Sequence, residues 1–185
     1  LGKSSRLNEI YTSLKSDILV QSDADVQFSH DYVIRDLVKP ILRNKKIGMC
    51  GGNPIPLKGK TFTEKAVNAT CEVYINFRKS VRGGNNKFSA DGRLLAFRKN
   101  LVKNITVPSD MFANDVYTYF CCITQGYKYR FVESARVSFR SPQSLKDQIR
   151  QNTRFLASPI RMSRYFPEEL VKKERRVPKT LLYRS

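Results

Sequence analysis

The chain has 185 residues, 41% of them hydrophobic and 27% charged, which is enough for one domain with its own core. With 34 Lys and Arg against 16 Asp and Glu, the net charge is +18. Nine Gly, eight Pro and 11% aromatics exclude a collagen-like repeat and an acidic disordered tail, and four cysteines exclude a disulfide-built mini-protein. No apolar run approaches the ~20 residues of a membrane helix. No signal peptide opens the chain, and the start at Leu1-Gly2-Lys3 suggests a segment of a longer protein.

Helix and strand signals alternate along the chain. Leu7, Ile10, Tyr11 and Leu14 recur at helical spacing. Residues 17–22 form a short β-type run that ends in the polar Asp23-Ala24-Asp25. Residues 32–38 read as a helix stopped near Pro40, and residues 47–52 as a buried strand broken by Asn53-Pro54. A long amphipathic stretch covers about residues 63–81, and the turn Gly83-Gly84-Asn85-Asn86 leads to a strand around Leu94-Leu95-Ala96-Phe97. Residues 116–123 read as helix, residues 127–132 as a half-exposed strand, and residues 144–156 as a helix limited by Pro159. This alternation predicts an α/β domain with a mixed sheet flanked by helices.

Cys50, Cys71, Cys121 and Cys122 contain no C-x-x-C, and the one histidine, His30, is distant from all four. Buried free thiols in a reducing compartment are expected rather than a zinc site. His30 reads as a surface residue. Asn68 and Asn104 each begin a glycosylation-type triplet, of the kind that arises by chance. The positive charge calls for an anionic partner or serves solubility.

Asp23 and Asp25 sit two apart at the end of an apolar strand, where alternate side chains of an extended chain share a side. Such a pair can hold a divalent cation, and in open α/β sheets the ligand crevice lies beyond the carboxyl ends of the strands. A solvated turn is the competing reading.

Four segments in order resemble a family 2 glycosyltransferase of the GT-A fold, the group of cellulose and hyaluronan synthases. Residues 2–8, Gly-Lys-Ser-Ser-Arg-Leu-Asn, are similar to the family's G-K-x-x-A-L-N, and Asp23-Ala24-Asp25 to its D-x-D. Ala113-Asn114-Asp115 falls where the family has T-E-D, and residues 151–155, Gln-Asn-Thr-Arg-Phe, resemble Q-x-x-R-W. Residues 89–98, between them, resemble the segment carrying the family's G-x-x-x-x-F/Y-R pattern.

The resemblance implies transfer of a sugar from a nucleotide-diphosphate sugar, such as a UDP-sugar, to the hydroxyl of a carbohydrate or lipid-linked acceptor, with inversion. It implies Mg²⁺ or Mn²⁺ held by Asp25 with Asp23 beside it, nearer the ribose, and Lys3 near the nucleotide. Asp115 becomes the general base, although Asp115 or Asn114 also suits a helix N-cap. Gln151, Arg154 and Phe155, with Arg93, would line the acceptor and diphosphate region. Asn114 replaces the family's Glu and Phe155 its Trp.

The resemblance spans about residues 2–155, and 156–185 reads as a basic amphipathic segment. That segment suits an anionic membrane surface or plain solvent. The family's opening nucleotide-binding strand has no counterpart here, so an N-terminally truncated GT-A domain is expected, with its bare sheet edge covered by another copy, another chain or disorder. The expected location is the cytoplasm, or the cytoplasmic face of a membrane. Two other classes compete: a basic nucleic-acid-binding domain, for which no recognisable motif is present, and an inactive GT-A scaffold.

Overall fold

The structure, a computed structural model, describes residues 2–177, apart from the side chains of residues 154–160. In chain order the elements are α1 (Lys3–Ser13), β1 (Ile18–Ser22), β2 (Val26–Phe28), α2 (Val33–Arg43), β3 (Ile47–Pro56) and α3 (Phe62–Ser80). Two 3₁₀ turns follow, then β4 (Leu94–Arg98), α4 (Lys99–Val102), α5 (Asn114–Thr124), β5 (Lys128–Phe139), α6 (Leu145–Tyr165) and α7 (Glu168–Arg175). The strands form one mixed sheet in the order β1-β4-β3-β5-β2. β3 and β5 run parallel, and the other pairings are antiparallel.

Strand periodicity divides the core into two layers. In β4, Leu95 and Phe97 face one cluster while Leu94 and Ala96 face the other, as a period of two requires. Leu94, Leu95 and Phe97 are fully buried, which stabilises by about 2 kcal/mol apiece. One layer contains Val33, Leu37 and Ile41 of α2, four apart on a single helical face. The other holds α1, α4 and α5, together with Met162 of α6 and Val171 of α7.

β5 changes face partway. Tyr129 and Phe131 join the first cluster, whereas Ala135 and Val137 join the second. The register with β3 slips here: Gly51 pairs with Phe131, but Asn53 pairs with Arg136. Three extra residues are an odd number, so the alternation inverts.

Three proline expectations are corrected. α2 continues through Pro40 to Arg43, because Ile41 is buried one residue later and the Pro40 carbonyl still accepts from the Asn44 amide at 3.1 Å. β3 continues through Pro54, since β4 pairs only with Met49–Gly51 and β3 is an edge beyond that point, where proline is tolerated. α6 runs past Pro159 and past the expected division at 155/156. Its far end is anchored by Met162, by the Arg161 guanidinium donating to the Asp110 carbonyl at 2.7 Å, and by the Tyr165 hydroxyl donating to the Asp110 carboxylate at 2.8 Å. The apolar residues Met162, Phe166, Leu170 and Val171 pack against the domain's own core. Among the described residues no helix is long and apolar enough to cross a membrane.

α7 is pinned by Glu174. Its carboxylate accepts from both Arg82 guanidinium nitrogens, at 3.1 and 2.5 Å, and from the Tyr119 hydroxyl at 2.7 Å. Asn68 has a structural role: its amide donates to the Leu57 carbonyl at 2.7 Å and its oxygen accepts from the Ser141 hydroxyl at 2.6 Å. Cys50, Cys121 and Cys122 are buried free thiols and Cys71 is half-buried, with burial pushing Cys50 up to about 12. His30 is exposed; its ring bonds to the Ser134 carbonyl at 3.0 Å and accepts from the Tyr32 amide at 3.2 Å.

Candidate functional site

The C-terminal ends of β1, β3 and β5 open into a cavity of about 700 Å³, walled by α3 and α6 and by the loops before β4 and α5. This is the crevice position that an open α/β sheet offers a ligand. Lys3, Asp23, Arg93, Asp115 and Gln151 all line it, although the sequence spreads them over nearly 150 positions.

Lys3 stands in the first turn of α1, with Nζ 3.1 Å from Oδ1 of Asp23. The two side chains are 57% and 37% exposed, so the pair adds only about 0–1 kcal/mol to stability. Its effect is to place a cation beside the Asp23 carboxylate at the cavity rim. The start of α1 is tied to the loop before α5. The Ser4 hydroxyl donates to the Met111 carbonyl at 3.3 Å, and Asn8 makes a reciprocal pair with the Val107 backbone at 2.9 and 2.7 Å.

Asp115 lies in the first turn of α5, where the helix dipole favours a carboxylate. The N-cap position is Ala113, with no side-chain cap bond, so neither Asp115 nor Asn114 is the cap. Asp115 accepts from its neighbour Val116 at 2.8 Å and from the Gly92 amide at 3.2 Å. Burial, with the Asp91 charge second, pushes its carboxyl up to about 6; the two amides and Lys3 pull the other way. Near neutral pH it is therefore ionised yet more basic than an ordinary carboxylate.

Asp91 is paired internally. It accepts from the Arg93 amide at 3.1 Å and from the Arg93 guanidinium at 2.8 Å. That guanidinium lies over the Phe139 ring, 3.7 Å from its centroid, so Arg93 is fixed from two sides. Gln151 and Asn152 of α6 face the same cavity, as does Gln148, whose buried Oε1 has no partner. Gln21, one strand residue before Asp23's turn, also turns a partnerless oxygen to this region.

Asp25 is exposed in the turn between β1 and β2 and is not among the lining residues. The side chains of Arg154 and Phe155 lie outside the described residues; their backbone is part of α6. Two lining residues carry no sequence signal: Arg78, buried inside α3, and Lys87, in the turn after it. A charged residue on an amphipathic helix ordinarily reads as solvent-facing.

Among the described residues, no three His, Cys, Asp or Glu side chains converge. A divalent ion at this cavity would thus find one carboxylate at the rim, Asp23, with Asp25 in the adjoining turn. That donor set fits a hard cation that completes its shell with water and substrate phosphates, and does not fit a closed all-protein site.

No family model matches the sequence, and no curated protein matches it. Solved structures do match in fold. A mannosyltransferase from Pyrobaculum calidifontis in complex with GDP-Man and Mn²⁺ superposes with a TM-score of 0.62 at 18% identity, covering 89% of this chain and 44% of that one. Glucosyl-3-phosphoglycerate synthase from Mycobacterium tuberculosis, in complex with Mn²⁺, UDP-glucose and phosphoglyceric acid, gives 0.58 at 15% identity, covering 85% and 53%. The fold is therefore of the GT-A type, and the chain spans about half the length of the solved structures it matches.

Proposed function

We propose that this chain supplies part of the catalytic domain of a family 2 glycosyltransferase that moves a sugar from a nucleotide-diphosphate sugar to an acceptor hydroxyl with inversion. One observation carries the reading: a carboxylate with a raised pKa, Asp115, shares a cavity with the Lys3–Asp23 pair at the carboxyl end of β1. Donors of this class, GDP-mannose and UDP-glucose, occupy the two fold relatives.

In this mechanism the acceptor hydroxyl lies against Asp115. The ionised carboxylate takes its proton as the hydroxyl oxygen forms a bond to the anomeric carbon. The bond from that carbon to the diphosphate oxygen breaks, and its electrons leave with the nucleoside diphosphate. Attack opposite the leaving group inverts the anomeric configuration. Lys3 stands beside the departing phosphates and offsets their charge. A divalent ion, Mg²⁺ or Mn²⁺, held through Asp23 with Asp25 adjoining, would supply Lewis-acid stabilisation of the leaving diphosphate. Arg93, gripped by Asp91 and Phe139, and Gln151 line the side from which the acceptor enters. Arg154 and Phe155 are assigned to the same channel through the Q-x-x-R-W resemblance alone.

The test is nucleotide release from a panel of UDP- and GDP-sugars with Mg²⁺ or Mn²⁺. Metal-dependent turnover is expected to vanish in Asp115→Asn and to fall by two or more orders of magnitude in Asp23→Asn. Turnover in Asp115→Asn equal to the parent would remove the assignment.

A further inference from the structure

At Gly51 and Gly84 the fold itself requires glycine. A Cβ on Gly51 would overlap the Tyr129 hydroxyl, and one on Gly84 would overlap the Phe131 ring, where the backbone is also left-handed at φ +81°. Gly92 has neither reason. Its φ lies outside the left-handed region. Beyond its chain neighbours, a Cβ there would meet only Asp115, 3.7 Å from Oδ2 and 3.9 Å from Cβ. Those are ordinary contact distances, so the fold would accept alanine at this position.

The surroundings hold Gly92 in place. It is the second residue of a turn that the Leu94 amide closes by donating to the Asp91 carbonyl at 3.3 Å. Within the turn the Asp91 carboxylate accepts from the Arg93 amide at 3.1 Å, and the Ser22 hydroxyl ties the Arg93 carbonyl to the end of β1 at 3.0 Å. The Gly92 amide donates to Asp115 Oδ2 at 3.2 Å, and the Val116 amide donates to Oδ1 at 2.8 Å. A carboxylate has about four lone-pair sites, so two amides orient Asp115 and leave it able to accept further bonds. Gly92 and Asp115 line the same cavity.

A hydroxyl bound to a carboxylate lies about 2.6–3.2 Å from its oxygen. The carbon behind that hydroxyl needs about 3.5–4.0 Å of clearance from any other carbon. A methyl group 3.7 Å from Oδ2 would therefore compete with the carbon of an alcohol bound there. Water carries no such carbon and still fits.

We infer, on the reading of Asp115 as the base facing the acceptor, that Gly92 is a specificity-determining residue: the side chain it lacks is the opening through which an alcohol reaches Asp115. A side chain at 92 selects water over the alcohol. With water the oxygen bonds to the anomeric carbon, its proton passes to Asp115, and the nucleoside diphosphate leaves, so the products are free sugar and nucleotide. Loss of the opening thus turns transfer into donor hydrolysis.

Two measurements on the full protein keep this opening separate from the assignment of the base. The first uses no substrate. A water-soluble carbodiimide with glycine ethyl ester converts reachable carboxyls to amides, and mass spectrometry reads each residue. Asp115 is expected to label in the parent and to label severalfold more slowly in Gly92→Ala and slower still in Gly92→Val, relative to the exposed Asp31. The second follows sugar transfer to glycerol and methyl glycosides beside release of free sugar, from UDP-glucose and GDP-mannose with Mn²⁺. Gly92→Ala should lower transfer about a hundredfold, keep hydrolysis, and melt no lower than the parent, because alanine restricts the unfolded chain. An Asp115 that is unlabelled in the parent, or equally labelled in folded Gly92→Ala, would overturn the inference. So would undiminished transfer in Gly92→Ala, or equal loss of transfer and hydrolysis. Full turnover in Asp115→Asn, or a parent without turnover whose labelling behaves as expected, would instead remove the base assignment and leave the opening beside Gly92 standing.

Discussion

The Gly92 amide donates to the Asp115 carboxylate at 3.2 Å, joining the loop ahead of β4 to the first turn of α5, 23 residues further along the chain. The same loop carries Asp91, whose charge raises the Asp115 carboxyl. One loop thus positions this acid and adds to the rise in its pKa that burial, the larger cause, produces.

A pH profile follows from that arrangement. With Asp115 as base, the transfer rate should climb as pH rises through about 6 and level off above it. Asp91→Asn removes a neighbouring negative charge, so the acid limb should move to lower pH. The check is kcat against pH for parent and variant. An unmoved limb would mean that Asp91 does not act on the base.

Stability should respond to the same group with a definite sign. The folded carboxyl lies above its unfolded value of about 3.9, so the folded state binds more protons between the two. The Asp115 contribution is therefore full below about pH 4 and is lost as pH rises through about 6. Thermal unfolding across this window should show that falling component in the parent, and Asp115→Asn should remove it.

Lys3→Met separates binding from folding. The Lys3–Asp23 pair is largely exposed, so the unfolding free energy should change by no more than an ordinary surface substitution does, about 0.5 kcal/mol. Nucleoside diphosphate affinity should fall about tenfold, since a cation is lost beside the phosphates. Isothermal titration with the metal-loaded nucleotide, run alongside differential scanning calorimetry, reads both.

Glu174 offers the opposite case, a structural acid. Burial raises its carboxyl, but the hydrogen bonds from Arg82 and Tyr119 more than offset this and hold it below the ordinary range. Its stabilisation is present above the unfolded pKa and is lost as pH falls through the folded one. Glu174→Ala should cost about 1–3 kcal/mol, because it leaves the buried Tyr119 hydroxyl without a partner, while the exposed Arg82 returns to water. Chemical denaturation would measure the loss, and reduced helical circular dichroism would report release of α7.

Local patterns foretold the parts of this molecule that obey local rules. The strand around Leu94–Phe97 appears where it was expected, and the helix expected over residues 32–38 is present but runs on to Arg43. Asp23 was recognisable as a polar residue ending an apolar run, whereas Lys3 and Asp115 were singled out only through the family resemblance. The proline positions misled, since packing of Ile41 and Met162 outweighs a lost amide bond. Three-residue β2 is too short to show a period. Arg78 was hidden because burial of a charge depends on Asn53 and Pro54, two dozen residues away.

The slip in β5 between Phe131 and Ala135 reaches further than the sheet. By turning the strand over, it presents Phe139 as the platform beneath the Arg93 guanidinium. Deleting or adding one residue within that stretch would rotate the platform to the reverse side and leave Arg93 held by Asp91 alone. Length changes there are tolerable only in pairs, so an apparently permissive strand irregularity acts as a parity lock on the cavity wall.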